Sequence, residues 1–297
     1  MFWFKNIFAF QLDEAIDESA LESLTRISEA SSSSMLNIGW TNELNDDALY
    51  QVVENSFFLK LQIDKKSVPP ANIKIETEKE IKRQIDSGIE KPNKKEIKEN
   101  VTKRLAEKVL FKTTFVRGYI DNKNKLLVID SGSQGIVDQF TAHLRKSLGT
   151  LKISMFDPEI NIVELMTGWL SEQKIPNPFG AGEECSLVEL ETGSKTKYTN
   201  QDLFTDEIQT NLENGKVVSA LKLDWHERFM FSINEKMQIK SIKTLDAIEE
   251  QVNDDAGESG GSPEEKEAHK RNLYIASMIL MKEDFAELLR DLQKLGK

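Results

Sequence analysis

The chain has 297 residues, of which 39% are hydrophobic, and its formal net charge is −11. This length can bury a sizeable core divided over two or three domains or subdomains. The single cysteine, Cys185, excludes an internal disulfide and fits a reducing cytosol, and with only three histidines a His/Cys zinc site is not expected. No apolar run approaches the roughly 18 residues of a membrane span, so no membrane partner is expected. Residues 1–10 lack a basic n-region and a small-residue cleavage site, so no signal peptide is expected.

The charge is distributed unevenly along the chain. Residues 60–125 contain 18 Lys and Arg against 10 Asp and Glu, a net of +8, which leaves a net of −19 for the remainder. This asymmetry predicts a basic, DNA-facing surface on an acidic body. The alternative is a solvated, salt-bridged pair of helices, which is the more usual reason for a run of charges.

The first part of the chain predicts strands around one helix. The phenylalanines of residues 1–10 alternate, which indicates a buried strand. A helix is expected at 17–29, followed by strands at 51–53 and 57–63.

Two charged helices are predicted next, at 72–87 and 94–110, after a Pro-Pro pair and on either side of a Gly- and Pro-containing turn. The second helix carries a narrow apolar stripe in which every fourth residue is apolar. Lysines and an arginine surround that stripe. Because so thin an apolar face covers little surface, we expect the pair to project from the body or to pack on a partner.

Strands are expected at 113–120 and 125–130. A Ser/Gly turn and an amphipathic helix follow the second strand. Ser133 is suited to cap the helix and Gly149 to end it. Arg145 and Lys146 lie in its last turn, where cations complement the helix dipole. Phosphate contact is the functional alternative for both.

The C-terminal half predicts helices and a strand meander. We expect a helix at 158–171, an irregular crossover at 172–200, a mobile acidic loop at 253–267 and a strand at 273–281 before a final helix. A helix at 202–213 leads into strands at 216–223, 228–233 and 237–243. The fold class is therefore α+β, with mixed or antiparallel sheets, flanking helices and a projecting charged helical excursion.

Two short motifs could suggest catalysis. Residues 131–135 (Ser-Gly-Ser-Gln-Gly) lack the Gly-Lys-Ser/Thr ending of a phosphate loop, so we interpret them as a capped turn. Residues 224–227 (Asp-Trp-His-Glu) offer too few carboxylates for a two-metal nuclease, so we predict a structural turn with Trp225 in the core. Cys185 has no neighbour that would activate it and is expected to be inert.

Several short segments, in order along the chain, resemble one known family. They are the opening Met-Phe-Trp-Phe-Lys-Asn at 1–6, Ile-Gly-Trp at 38–40 and Leu-Arg-Lys-Ser-Leu-Gly at 144–149. Further on stand Asn-Gln-Asp-Leu, Gly-Lys-Val-Val and Leu-Lys-Leu-Asp-Trp within 200–225, and Ile-Leu-Met at 279–281. Together they resemble the recombination-associated protein RdgC family of bacterial DNA-binding proteins.

The resemblance implies a ring-shaped homodimer whose positively charged hole encircles duplex DNA with little sequence preference. It also implies a cytoplasmic, nucleoid-associated protein that restrains the RecA recombinase by competing for DNA. Single-stranded DNA is a second expected form of the ligand. No catalytic residue and no cofactor are implied.

The resemblance, together with the basic excess of 60–125 and the return of the chain into the helix that ends at Arg145-Lys146, predicts three domains and a set of DNA-facing residues. The domains are a central one at 1–68 plus 112–171, a helical finger at 69–111, and a C-terminal one at 172–297. A family aromatic near the tip of the finger falls at Leu110 or, beside it, at Phe111. The family's basic-Gln pair falls at Asn200-Gln201, where Asn replaces the cation and Lys197 is a candidate substitute. The expected DNA-binding residues are Arg145, Lys146, Lys94, Lys98, Lys103, Arg104, Lys112, Arg117, Phe111 and Gln201.

Three functions remain in competition at this point. The first is a non-enzymatic DNA-encircling dimer. The second is a scaffold whose basic helices dock an acidic protein, which the same charges would allow. The third is a DNA-processing enzyme, which the lack of a dense carboxylate, Ser/His or Cys/His constellation disfavours.

Overall fold

The computed structural model describes residues 1–29, 34–42, 44, 47–257 and 261–296. In its first half the elements are β1 (Phe8–Leu12), α1 (Glu18–Leu21), β2 (Leu36–Thr41), β3 (Tyr50–Val53), β4 (Ser56–Lys65), α2 (Pro70–Asp86), α3 (Lys94–Ala106), β5 (Lys112–Asp121), β6 (Leu126–Ile129), α4 (Gln134–Leu148) and β7 (Ile153–Met155). In its second half they are α5 (Ile162–Ser171), β8 (Phe179–Glu189), β9 (Lys195–Thr199), α6 (Asp206–Glu213), β10 (Lys216–Trp225), β11 (Phe229–Asn234), β12 (Ile239–Thr244), α7 (Asp246–Ala256) and α8 (Pro263–Lys294). The predicted α+β class is confirmed.

The first sheet has seven strands in the order β2-β4-β5-β6-β1-β7, with β3 also paired to β4, and its strand pairs are antiparallel. Its two faces are both partly covered. On one face α4 inserts Val137, Phe140 and Leu144 against Trp40 and the sheet. This packing is what the helical spacing of those apolar residues predicts.

The second sheet has five strands in the order β12-β11-β10-β8-β9. Helices α5 and α8 cover it, and their apolar side chains join a core that continues to the first sheet. Backbone hydrogen bonds link the sheets directly, from Ile7 N to Ile239 O and from Ile242 N to Lys5 O, both 2.9 Å long. Although α5 lies within the predicted central domain, it packs on β10, where Thr167 Oγ1 accepts a hydrogen bond from Val218 N at 2.9 Å.

Helices α2 and α3 form an antiparallel pair between β4 and β5, and we call residues 70–106 the finger. The predicted helical excursion is confirmed, although α3 ends at Ala106 instead of residue 110. Helix α2, which is described along its whole length, has no buried residue. Helix α3 buries Ile97 and Val101 of the predicted stripe together with Ala106, whereas Leu105 of the stripe is only partly buried. Within the described part of the chain, no helix is both long and apolar enough to span a bilayer.

Two predictions for the C-terminal half are wrong. Residues 172–200 are not irregular but contain the β8–β9 hairpin. The segment 273–281 is not a strand but the middle of α8. A short apolar run fits either a strand or a buried helix, and here Met278 and Met281 are buried as parts of one 32-residue helix.

Two further predictions are wrong in extent. The helix expected at 17–29 is only Glu18–Leu21, because residues 25–27 turn to hydrogen-bond with Trp40 at the edge of β2. The loop expected at 253–267 is shortened by α7, which reaches Ala256, and by α8. Ser262 and Glu265 begin α8 with a capping box, in which each side chain accepts a backbone N–H of the other residue. Residues 258–260 of that prediction lie outside the described residues.

Candidate nucleic-acid interface

The C-terminal end of α4 presents two exposed cations. Arg145 and Lys146 point away from the sheet because Leu144 and Phe140, on the opposite side of the helix, are fully buried. Gly149 ends the helix with φ at 75°, as predicted. A 2.9 Å hydrogen bond from Trp40 Nε1 to Ser147 Oγ holds the last turn against β2. The two charges therefore have a fixed scaffold beneath them.

A histidine beside these cations is poised to stay neutral. His143 lies 5.5 Å from Trp40, ring centroid to ring centroid. Burial lowers the pKa of His143, and the nearby positive charge of Lys146 lowers it further. Near neutral pH the charge of this helix end consequently comes from Arg145 and Lys146.

The finger carries the next set of predicted cations. Lys94, Lys98 and Lys103 are exposed along α3. Arg104 is also exposed but approaches Glu76 of α2, with 3.5 Å between Nη2 and Oε2. Part of its charge is thus compensated within the finger, as the salt-bridge alternative predicts.

A buried lysine at the base of the finger went unnoticed in the sequence. Lys66 is 5% exposed and its Nζ donates a 2.8 Å hydrogen bond to the carbonyl of Ala106, where α3 ends. The same ammonium lies 4.7 Å from the ring centroid of Phe111. Phe111 is half-buried and therefore contributes to fixing the finger on the sheet. Leu110, the other candidate for the family aromatic, is 90% exposed, and both residues lie at the base of the finger instead of near its tip as expected.

The two predicted cations of β5 project from opposite faces of the first sheet. Lys112 is paired with Lys65, on the face that α4 covers further along, whereas Arg117 is paired with Lys60 on the other face. The Arg117 guanidinium lies 5.6 Å from the ring centroid of Phe2. One flat surface therefore cannot contain both residues.

Gln201 lies on the second sheet, after β9, and is half-buried. Its backbone N donates a 3.4 Å hydrogen bond to Glu183 O, and Asn200 beside it has φ at 55°. Lys197, the candidate substitute for the missing cation, is exposed and lies 3.8 Å from the Glu184 carboxylate. Gln201 is thus separated from the finger and α4, which belong to the other sheet.

A family model described as "Putative exonuclease, RdgC" matches residues 2–296 of this chain. The chain belongs to the RdgC family. It is 30% identical over 264 residues to the recombination-associated protein RdgC of Colwellia psychrerythraea, covering 85% of this chain and 86% of that protein. It is also 30% identical over 305 residues to the protein of the same name from Yersinia enterocolitica, covering 98% and 97%.

The exonuclease description of the RdgC family model directs attention to the Asp-Trp-His-Glu segment. It forms the end of β10, where Trp225 is fully buried, and the start of the β10–β11 turn, where His226 and Glu227 have positive φ. The prediction that Trp225 lies in the core is confirmed. Among the described residues, the one group of three candidate metal ligands is His226 with Glu287 and Asp291 of α8.

The hydrogen bonds of this group favour a structural role. Asp291 Oδ2 accepts a 3.1 Å hydrogen bond from Trp225 Nε1, and Asp291 Oδ1 lies 2.7 Å from Lys294 Nζ. His226 Nε2 is 3.8 Å from Asp291 Oδ2. Because both carboxylate oxygens already have donors, the group fastens α8 to the turn. Burial raises the pKa of the Cys185 thiol to about 11, which agrees with an inert thiol.

Proposed function

We propose that this RdgC protein is a non-enzymatic, largely sequence-independent DNA-binding protein that acts as a homodimer around duplex DNA. In this proposal it restrains RecA-dependent recombination by occupying DNA that RecA would otherwise use. It works in the cytoplasm, on the nucleoid, and needs no cofactor.

The observation that supports DNA binding most is the separation of charge in the fold. Residues 60–125, with their net of +8, form the finger and the adjoining strands β4 and β5. Lys94, Lys98, Lys103 and Lys146 are exposed, which is the arrangement that phosphate neutralisation requires. Phosphate contacts fix position without reading bases, so weak sequence preference follows.

Support for a dimer comes from the apolar residues of the finger. Ile75, Ile85 and Ile89 are each about half exposed, on α2 and on the turn that follows it. A partner that covers these side chains would remove their apolar surface from water. A second finger would bury these side chains, and two copies would present their cations to the same duplex.

A specific observation keeps the scaffold function as a second candidate. Lys74, Lys79 and Lys82 are exposed on α2, the helix that carries Ile75 and Ile85. An acidic protein with an apolar stripe would complement this surface as well as DNA complements the cations of α3.

The test is binding of a mixed-sequence duplex by the purified protein over a series of salt concentrations. With about 6–10 phosphate contacts, affinity should fall by about 10³–10⁵ between about 50 and 200 mM salt. Unrelated duplex sequences should bind alike. Salt-independent binding, or binding of one sequence only, would contradict the proposal, and absence of duplex binding would favour the acidic protein.

A further inference from the structure

The face of the first sheet opposite α4 is covered over only part of its area. Near β6 the side chains of Phe58 and Tyr119 are buried beneath Phe2, Phe4 and helix α8. Further along the same face, Lys60, Gln62 and Asp64 of β4 are only partly buried. Strand alternation and the β4–β5 register place Arg117, Phe115 and Thr113 directly beside those three residues.

The aromatic ring of Phe115 is the central feature of this open area. Phe115 is 49% exposed, and Lys60 Nζ lies 4.4 Å from its ring centroid. Arg117 is the next residue of β5 on this face. It is half-buried and lies over the ring of Phe2. A single exposed apolar side chain needs no explanation. An exposed ring on a flat sheet, beside two cations that pair directly across neighbouring strands, is a more specific arrangement.

We propose that Phe115, with Lys60 and Arg117, forms a stacking site for an unpaired base of single-stranded DNA. A nucleotide combines a flat aromatic base with an anionic phosphate, and the site offers an aromatic ring beside two cations. Stacking of this type tolerates any base, because every base has a π-face.

Duplex DNA does not fit this site. Its bases are already stacked on one another, so a ring on a sheet surface reaches only the backbone. The cleft between Phe2, Lys60, Arg117 and Tyr274 holds only about 20 Å³, which is about the space of one water and far too small for a base. The base must therefore lie on the exposed part of the Phe115 ring, with its phosphates towards Lys60 and Arg117.

The site deepens the proposed DNA-binding function and rests on it for the choice of ligand. The position is separate from the exposed cations of α4, because α4 packs on the opposite face of the sheet. One protomer could in this way contact a duplex with α4 and an unpaired strand with the open sheet face.

The test uses the full chain and a fluorescent oligothymidine of about 20 nucleotides, which has little structure of its own, beside a hairpin duplex. Phe115→Leu keeps an apolar residue but removes the ring, and should weaken oligothymidine binding by about 5- to 150-fold. Binding of the hairpin duplex should stay within about twofold, since phosphate contacts are unchanged. Phe115→Trp keeps an aromatic ring and should bind the single strand as tightly as the wild type or more tightly.

A matched control replaces another exposed apolar residue, Leu190→Ala in the turn between β8 and β9, and should change neither affinity. A strand of abasic nucleotides should bind the wild type and Phe115→Leu equally, because the ring has no base to contact. Equal weakening of single strand and duplex by Phe115→Leu, or no weakening of either, would overturn the stacking site. Absence of duplex binding in the wild type, with the single-strand effect of Phe115 intact, would instead refute only the proposed duplex function.

Discussion

The finger and the α7–α8 pair are both pairs of charged helices, yet they differ in what they bury and in their charge. Helix α2 buries no residue along its fully described length, whereas α8 buries Met281, Phe285, Leu288 and Leu292 in the shared core. Helix α3 has five Lys or Arg against two Glu, and α7 has five Asp or Glu and no basic residue.

The comparison separates two kinds of information in the sequence. The width of the apolar face decides whether a helix packs into the body or projects from it. The sign of the remaining charge decides which ligand the exposed side can attract. In the finger the apolar face is thin and α3 is basic, so its residues are available for DNA and for a partner.

The largest expected difference between the two helical pairs is in stability. Phe285→Ala should lower the free energy of unfolding by about 3–5 kcal/mol, because it empties a fully buried site between the sheets. At a protein concentration low enough to keep the chain monomeric, Ile85→Ala on the finger, whose side chain is about half exposed there, should change it by less than about 0.5 kcal/mol. Urea denaturation of both variants measures these changes in the free energy of unfolding. Similar decreases in the two variants would mean that the finger is part of the cooperative core.

The next effect concerns DNA. Replacing both Arg145 and Lys146 with Ala should lower duplex affinity by roughly tenfold at about 0.1 M salt for each phosphate that the variant no longer neutralises. The salt slope should fall by about one for each such phosphate, equally for all sequences. The matched control is Lys266→Ala with Lys270→Ala, two exposed cations at the start of α8, which should bind as wild type.

The thermal midpoint separates the two interpretations of Arg145 and Lys146. A helix-dipole contribution is below about 1 kcal/mol for each cation, so the double variant should remain folded. If it binds DNA as the wild type does, the two residues only stabilise the end of α4.

A smaller effect should appear as a pH dependence of the body. Burial, assisted by the charges of Glu287 and Glu283, raises the pKa of Asp284 to about 6, although the Arg228 guanidinium, 3.0 Å away, opposes the shift. Because the folded state then binds a proton more tightly than the unfolded state, this group stabilises most below about pH 4. That contribution is lost as pH rises through about 6.

Asp284→Asn removes this titration while an amide can still accept a hydrogen bond from Arg228. Relative to wild type, the variant should therefore gain stability between about pH 4 and pH 7. Urea denaturation at several pH values measures the difference, and a difference that is constant over this range would show that Asp284 is an ordinary carboxylate.

The smallest effect tests charge compensation within the finger. Glu76 lies 2.7 Å from Lys79 and 3.5 Å from Arg104, so Glu76→Gln releases both cations. Duplex affinity should rise modestly while stability hardly changes, because the pairs are solvent-exposed. Glu249→Gln on the acidic helix α7 is the control, and an equal rise in affinity there would indicate that only total charge matters.

The region from β5 to α4 could be predicted well from the sequence because its signals are local. The helical spacing of Val137, Phe140 and Leu144 and the glycine at 149 mark the element and its end. The β8–β9 hairpin could not be predicted in the same way. Gly182 lies within β8, and its small size serves a close approach to β10, where a Cβ atom would come within 2.9 Å of the Lys222 carbonyl oxygen.

For the candidate site, the sequence predicts which cations are exposed, but it does not predict how the residues are arranged in space. Exposed cations such as Lys94 and Lys146 follow from composition and helical spacing. The burial of Lys66 under the finger depends on contacts between residues 40 positions apart in the chain. The pairing of Phe115 and Arg117 with the residues of β4 likewise depends on strand register, which no local pattern specifies.

The measurement that tests the central claim most directly is the reactivity of individual lysines towards an acylating reagent, followed by mass spectrometry with and without duplex DNA. DNA binding through the basic surface predicts that Lys94, Lys98, Lys103 and Lys146 become protected, since phosphates cover their ammonium groups. Lys266 and Lys270, on the acidic side, should react at unchanged rates. If DNA changed the reactivity of none of these six lysines, or changed all six equally, the account would be contradicted. Protection confined to Lys266 and Lys270 would contradict it as well.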